Sequence, residues 1–231
     1  MTAFSFYLPN TELDELEKVA IDLRIHGVEL AETHLKTSPG ALRRARFASG
    51  LRYVALRLND SLESYCQERL KKIALWCEAN EVEAIIMARP GNDAAAAGKM
   101  LEWLDCFRVN IVFENRVDSF LRTAKDMDTF FRANRQALLS YYGAEMVSQR
   151  THPFSGALDA QTYRKQLYMI RVQDRCFNGA DALPCEGDAD LAECFSAAVG
   201  FGRHIWASLT PYGGYDLEVL KTNMGDAFCR I

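Results

Sequence analysis

The sequence lacks several features that would each define a class of protein. No apolar run approaches the roughly 18 residues of a membrane span, so no membrane protein is predicted. No Gly-x-Gly-x-x-Gly or Walker loop supports nucleotide binding, and no Gly-x-Ser-x-Gly motif supports a serine hydrolase. The net charge of −4 gives no electrostatic reason to expect a nucleic-acid partner.

The cysteines also lack the pattern of a disulfide or metal framework. There are 7 cysteines, an odd number, and they are spread along the chain without a C-x-x-C pair. The N-terminal segment MTAFSFYLPN has no basic region and only a short apolar run before Pro9, unlike a secretion signal. We therefore expect reduced thiols and a cytoplasmic protein.

What the sequence does have is a regular alternation of short apolar segments with amphipathic helical ones. For example, Leu13, Leu16, Ala20 and Leu23 share one face of a helix that ends before Gly27. Strands are predicted over 4–8, 27–31, 51–58, 82–88, 110–114, 143–149, 165–173 and 203–209. Eight β/α units predict a compact, parallel (β/α)₈ barrel spanning residues 1–231 as one domain, and an open doubly wound sheet is the alternative.

Polar side chains follow the predicted strands at their C-terminal ends, where barrels of this kind carry their active sites. They are Glu29, Arg57, Arg89, Glu114, Arg116, Gln149, Arg150, His152, Arg171, Gln173, Asp174, Ser208 and Thr210. The five arginines predict an anionic ligand, a phosphate or a carboxylate, bound by forked hydrogen bonds. The alternative is that each arginine is solvated or has a carboxylate partner of its own. Glu29, inside an apolar strand, is assigned either a structural hydrogen bond or a substrate contact.

Several short motifs resemble those of the xylose isomerase-like barrels, which include sugar and sugar-phosphate isomerases and epimerases and endonuclease IV. IVFENR (111–116) resembles the metal-bearing strand of that family, with Arg116 in the place of a histidine. QRTH (149–152) stands where the family commonly has Asp-x-x-His, and RVQD (171–174) where it has His-x-Lys-Asp. LPCEGDADL (183–191) resembles its proline and Gly-Glu-Gly-Asp loop.

The resemblance implies a set of four metal ligands, Glu, Asp, His and Glu, but most of them are replaced here. Glu114 keeps the first position, whereas Gln149, Arg171 and Thr210 stand at or beside the other three. Because arginine has no acceptor atom and stays protonated, we expect no metal and no other cofactor. The alternative is a shifted alignment in which a divalent ion is held by Asp174, Glu186 or Asp188.

Arg171 suggests how the missing ion is replaced. A carboxylate near the barrel mouth needs a counter-charge when it is buried. We predict that the guanidinium of Arg171 fills the space of the ion and pairs bidentately with Glu114.

The resemblance implies a sugar or sugar-phosphate isomerase or epimerase that binds a small polyhydroxylated or anionic ligand at the barrel mouth. The expected catalytic residues are Glu114, His152 and Arg171, and the expected substrate-binding residues are Arg57, Arg89, Arg116, Gln149 and Glu186. Because the ligand set is largely lost, the alternative is a non-catalytic barrel that binds a ligand or a protein. A homo-oligomer is compatible with either hypothesis.

Overall fold

A computed structural model of the protein, which describes residues 2–147, 165–199 and 204–228, contains a closed barrel of eight parallel strands. The barrel strands are β1 Thr2–Tyr7, β2 Gly27–Ala31, β3 Arg52–Ser61, β4 Ala84–Arg89, β5 Asn110–Glu114, β6 Leu138–Tyr141, β7 Leu167–Val172 and β10 Ile205–Leu209. Between β7 and β10, β8 Asp174–Arg175 and β9 Asp181–Ala182 form a separate antiparallel hairpin. The barrel closes where β1 pairs with β10, with Phe4 opposite Ala207. The predicted (β/α)₈ barrel is confirmed.

Eight α-helices are found in the described ranges, and they cover the outside of the barrel. They are α1 Leu13–Leu23, α2 Pro39–Ser49, α3 Gln67–Ala79, α4 Ala94–Leu104, α5 Ala124–Ala133, α6 Gly143–Val147, α7 Leu191–Val199 and α8 Leu217–Phe228. None of these helices has both the length and the apolarity needed to cross a membrane.

Local signals set the ends of α2. The side chain of Ser38 accepts a hydrogen bond from the Ala41 amide, and Pro39 occupies the first turn, where its missing N–H is not needed. The helix ends at Gly50, which has a φ of 68°, a left-handed conformation that glycine adopts without strain.

The sixth strand differs from the prediction. The strand was predicted over 143–149, but β6 runs from Leu138 to Tyr141. The segment from Gly143 to Val147 is a helix. The apolar run ALLSYY is too short to show a helical or an alternating period, so periodicity alone does not distinguish a buried strand from a helix there.

The barrel interior is divided into an apolar lower half and a polar upper half. The lower half is an apolar cluster of Val54, Ala55, Ala84, Ile86, Val112, Met169 and Trp206. Side chains two residues further along a strand point to the same face. Glu114 therefore follows Val112 into the interior, and Arg171 follows Met169. The upper half lies at the C-terminal ends of the strands.

Candidate functional site

Four charged side chains from four strands meet in the upper half of the barrel interior. They are Glu29 on β2, Arg57 on β3, Glu114 on β5 and Arg171 on β7, and we call them the buried quartet. Their exposed fractions are 1%, 7%, 0% and 3% respectively. Ionised groups buried to this degree need partners, and the quartet supplies two of each sign.

Arg57 and Glu114 form a bidentate ion pair. Arg57 Nη1 donates to Glu114 Oε2 at 2.9 Å, and Arg57 Nη2 donates to Glu114 Oε1 at 2.7 Å. Ser140 adds a longer hydrogen bond to Oε2 at 3.4 Å. Both oxygens of the Glu114 carboxylate are therefore occupied by protein donors.

Arg171 enters the barrel as predicted, but its main carboxylate partner is Glu29. Its Nη1 donates to Glu29 Oε2 at 2.7 Å and to Ser208 Oγ at 2.5 Å, and its Nη2 donates to Thr210 Oγ1 at 2.6 Å. Its Nε lies 3.7 Å from Glu114 Oε2, which is an ion-pair contact and not a bidentate pair. The predicted fork on Glu114 is therefore wrong in its donor, since Arg57 provides it.

Both oxygens of Glu29, the second carboxylate of the quartet, also accept hydrogen bonds from protein donors. Ser208 donates a short hydrogen bond to its Oε1, and Ser5 donates to the same oxygen at 3.4 Å. Arg57 Nη1 lies 4.0 Å from Glu29 Oε2 and links the two pairs into one cluster. Serines at strand positions facing the interior therefore complete the coordination of Glu29.

The quartet changes the acid–base properties of its members. Burial alone would raise the pKa of Glu114, but the positive charges of Arg57, Arg171 and Arg116 outweigh burial and hold that pKa below its usual value. For Arg57, burial would lower the pKa, and the charge of Glu114 outweighs it and raises the pKa. Both groups are therefore held in their charged forms, and Glu114 is a weak base.

The depressed pKa of Glu114 predicts a specific acid sensitivity. Glu114 contributes stability that is fully present above the unfolded-state pKa of about 4.3 and is lost as pH falls through the lower folded-state value. We expect the wild type to be more stable than Glu114→Gln near neutral pH, and we expect the difference to shrink as pH drops below about 4. Urea denaturation at a series of pH values measures this. The exposed Glu68 on α3 gives the control, since Glu68→Gln should change the free energy of unfolding by no more than about 0.5 kcal/mol at neutral pH. A Glu114→Gln difference that stays constant down to acid pH would contradict the assignment.

Arg116 lies at the edge of the quartet, with 24% of its side chain exposed. Its Nη1 is 3.8 Å from Glu114 Oε1, and its Nη2 is 3.3 Å from Glu145 Oε1 on α6. Its guanidinium also lies over the ring of Tyr142, 5.4 Å from the centroid. Arg116 is therefore a partly exposed group at the mouth, with longer contacts than the quartet below it.

Two other predicted ligand-binding residues are placed away from the quartet. Arg89 shares the strand face of Ile85 and Met87, which pack in the outer core, and it is exposed. Glu186 is exposed in the loop after β9. Gln149, Arg150 and His152 lie outside the described residues, so their predicted roles stay predictions.

The loop after β9 is held by Asp174, which the sequence grouped with the strand-end polar residues. Its Oδ1 accepts hydrogen bonds from the amides of Arg175 at 2.8 Å and Ala189 at 3.0 Å, and its Oδ2 accepts one from Gly187 at 3.0 Å. A Cβ at Gly187 would lie 2.4 Å from Asp174 Oδ1, which explains the glycine. Burial raises the pKa of Asp174, and these amides oppose the shift.

Among the described residues, the side chains at the barrel mouth do not fit a metal ion of the kind that the resemblance implies. Within the described ranges, no three His, Cys, Asp or Glu side chains come together as a possible ligand group. The guanidinium of Arg171 takes the hydroxyl of Thr210 and a carboxylate oxygen of Glu29, groups that would otherwise be available to an ion. A cation at either carboxylate would also meet the positive charge of Arg57 or Arg171, which repels it.

The sequence pointed to Arg57, Glu114 and Arg171, and it missed Ser5, Tyr7 and Ser140 as partners. Tyr7 lies beside the quartet, with its ring centroid 5.3 Å from the guanidinium carbon of Arg57. Their positions in the strands were the available signal. Side chains two residues apart on a strand point to the same side, so a polar residue two places from an interior apolar residue also faces the interior.

Comparison with known proteins identifies the fold. No protein-family model and no curated protein matches the sequence. Among solved structures, a D-tagatose 3-epimerase-like protein is 10% identical with a TM-score of 0.76, covering 99% of this chain and 97% of that one. The probable 3-DHS dehydratase AsbF of Bacillus anthracis is 11% identical with a TM-score of 0.74, covering 96% and 97%. A xylose isomerase-like TIM barrel protein of Mycobacterium smegmatis in complex with magnesium is 9% identical with a TM-score of 0.71, covering 98% and 95%. The chain therefore has the fold of the xylose isomerase-like TIM barrels, as the motifs predicted.

Proposed function

We propose that this protein is a non-catalytic barrel that binds a small polyhydroxylated ligand at its C-terminal mouth. The observation that carries the proposal is the closed pairing of the buried quartet. Glu29 and Glu114 have their oxygens bonded to Arg171, Arg57 and serine hydroxyls. A site arranged in this way is complete without an added ion.

The competing proposal, a sugar isomerase or epimerase, needs a base that takes a proton from a carbon next to a carbonyl. Glu114 is the candidate base, but its pKa is lowered and Arg57 holds both of its oxygens. Such a reaction also needs positive charge that is free to stabilise the enolate. The guanidiniums of Arg57 and Arg171 are already committed to carboxylates. Each of these features argues against proton transfer at this centre.

The charges at the mouth favour a neutral ligand over an anionic one. Three guanidiniums, of Arg57, Arg171 and Arg116, face three carboxylates, of Glu29, Glu114 and Glu145. The described part of the mouth therefore has no excess positive charge to attract a phosphate. Hydroxyl and amide groups surround it, including Asn59, whose Nδ2 donates to the Tyr7 hydroxyl at 2.8 Å. Groups of this kind exchange hydrogen bonds with sugar hydroxyls.

The proposal is tested by proton exchange. Purified protein is incubated in D₂O with a panel of ketoses, aldoses and their phosphates, with and without added Mn²⁺, and deuterium incorporation next to the carbonyl is followed by NMR. We expect no exchange above the protein-free rate under either condition. Exchange that disappears in Glu114→Gln would overturn the proposal and restore the isomerase.

Thermal unfolding with the same panel tests the ligand class. A ligand at 100 times its Kd stabilises a protein by about 2.7 kcal/mol, which raises Tm by several degrees in a chain of this length. We expect neutral sugars or polyols to raise Tm and their phosphorylated counterparts to do no better. A larger shift with the phosphates would contradict the neutral-ligand proposal.

A further inference from the structure

A groove lies beside the barrel on the face where the strands end at their C-termini. It is formed by the loop after β4, the loop after β5 and the first turns of α5, and its volume is about 610 Å³. Small-molecule sites have volumes of roughly 300 to 1,000 Å³. The lining of the groove includes Ser119, Phe120, Lys125, Asp126 and Phe130. We call this the β4–β5 groove.

The walls of the groove are fixed by hydrogen bonds. The amide of Phe120 donates to the carbonyl of Gly91 at 2.9 Å, which joins the loop after β5 to the loop after β4. The hydroxyl of Ser119 donates to the Arg116 carbonyl at 2.9 Å and accepts from the Leu121 amide at 3.1 Å. A ligand would therefore meet a preformed site and would not have to order these loops.

One wall of the groove is aromatic. The rings of Phe120 and Phe130 have centroids 4.7 Å apart and are tilted by 51°. Phe120 is half-buried, and Phe130 is 4% exposed. Phe113, on β5, packs against both rings, at 6.0 Å and 5.3 Å. The aromatic ring of a ligand, lying edge-on to Phe120, would add a further ring to these three.

The rim of the groove carries one cation that is not balanced locally. Asp126 accepts a hydrogen bond from the Thr123 hydroxyl at 2.7 Å and pairs with Arg122 Nε at 3.6 Å. Lys125 is exposed, and in the described part of the chain no carboxylate forms an ion pair with it. The lining residues Arg122, Lys125 and Asp126 together carry a net charge of +1. A ligand with one negative group complements this rim.

We propose that the β4–β5 groove binds a small aromatic molecule that carries one carboxylate or phosphate group. The aromatic ring packs against Phe120 and Phe130, and the anionic group lies beside Lys125. The groove is outside the barrel interior, so the proposal is independent of the function proposed for the mouth.

The test uses phenyl phosphate and benzoate as probes, with benzyl alcohol as the neutral analogue, added at millimolar concentration to the ¹⁵N-labelled full chain. We expect amide shifts concentrated in residues 119–130 and 91–96. Lys125→Glu should weaken phenyl phosphate binding by about tenfold. The affinity for benzyl alcohol should not change.

The control is Lys99→Glu, an exposed lysine on α4 that does not line the groove. Lys99→Glu should leave the binding of phenyl phosphate and of benzoate unchanged, whereas Phe120→Ala should weaken the binding of both compounds. Absence of probe-induced shifts, shifts located at the barrel mouth, or equal effects of Lys125→Glu and Lys99→Glu would each overturn the proposal.

Discussion

Replacing Arg57 by methionine is expected to destabilise the protein by about 3–5 kcal/mol, because the change leaves the buried carboxylate of Glu114 without its bidentate partner. The side chain of Glu114 is fully buried, so water does not replace the lost donors. Methionine keeps much of the side-chain volume, which limits the contribution of a cavity. Urea denaturation of the wild type and the variant measures the loss.

The double variant Arg57→Met with Glu114→Leu separates the charge effect from packing. Replacing both members of a buried pair by apolar groups is often neutral or stabilising. The pair between Arg171 and Glu29 remains balanced in this variant. We therefore expect the double variant to regain most of the stability lost in Arg57→Met. A double variant that is less stable than the single one would show that packing, and not the unpaired carboxylate, dominates.

Asp174→Ala is expected to destabilise the protein by about 3 kcal/mol, since each buried donor left without an acceptor costs about 1–3 kcal/mol and water offsets part of the loss. The carboxylate serves the amides of Arg175, Gly187 and Ala189, and it is 1% exposed. Chemical denaturation measures the global loss. Hydrogen exchange should show that protection of the Gly187 and Ala189 amides falls more than that of the barrel strands.

The exposed Glu186 in the same loop provides the matched control. Its carboxylate is not part of the Asp174 hydrogen-bond network, so Glu186→Ala should change the free energy of unfolding by no more than about 0.5 kcal/mol. Equal effects of the two substitutions would mean that the loop is held by contacts other than the Asp174 carboxylate.

The sequence was sufficient for most of the barrel because strand and helix periods alternate clearly there. The strands Gly27–Ala31 and Asn110–Glu114 have the predicted bounds, since each is a compact apolar run next to a helix signal. The sixth strand was misplaced because Leu138–Tyr141 is a four-residue strand without polar alternation, too short to show a period. The hairpin of Asp174–Arg175 and Asp181–Ala182 was missed because two-residue strands are too short to show alternation.

The sequence predicted several residues of the candidate site, but it did not predict which arginine pairs with which carboxylate. Strand ends placed Arg57, Glu114 and Arg171 on one face of the barrel, and all three meet there. Which arginine forks onto Glu114 depends on the stagger of the strands around the barrel, a property that no single segment encodes. The same stagger brings Glu29 within reach of Arg171 across a sequence separation of 142 residues.

The buried quartet also restricts how this sequence can evolve. Exchanging one acid or one arginine for a neutral residue leaves an unbalanced charge among buried side chains. Most single substitutions away from the present arrangement are therefore expected to destabilise the fold. Glu114 with Arg57, and Glu29 with Arg171, are therefore expected to be inherited or replaced in pairs. A descendant that regained an ion-binding centre would have to give up a guanidinium and acquire its new ligands together.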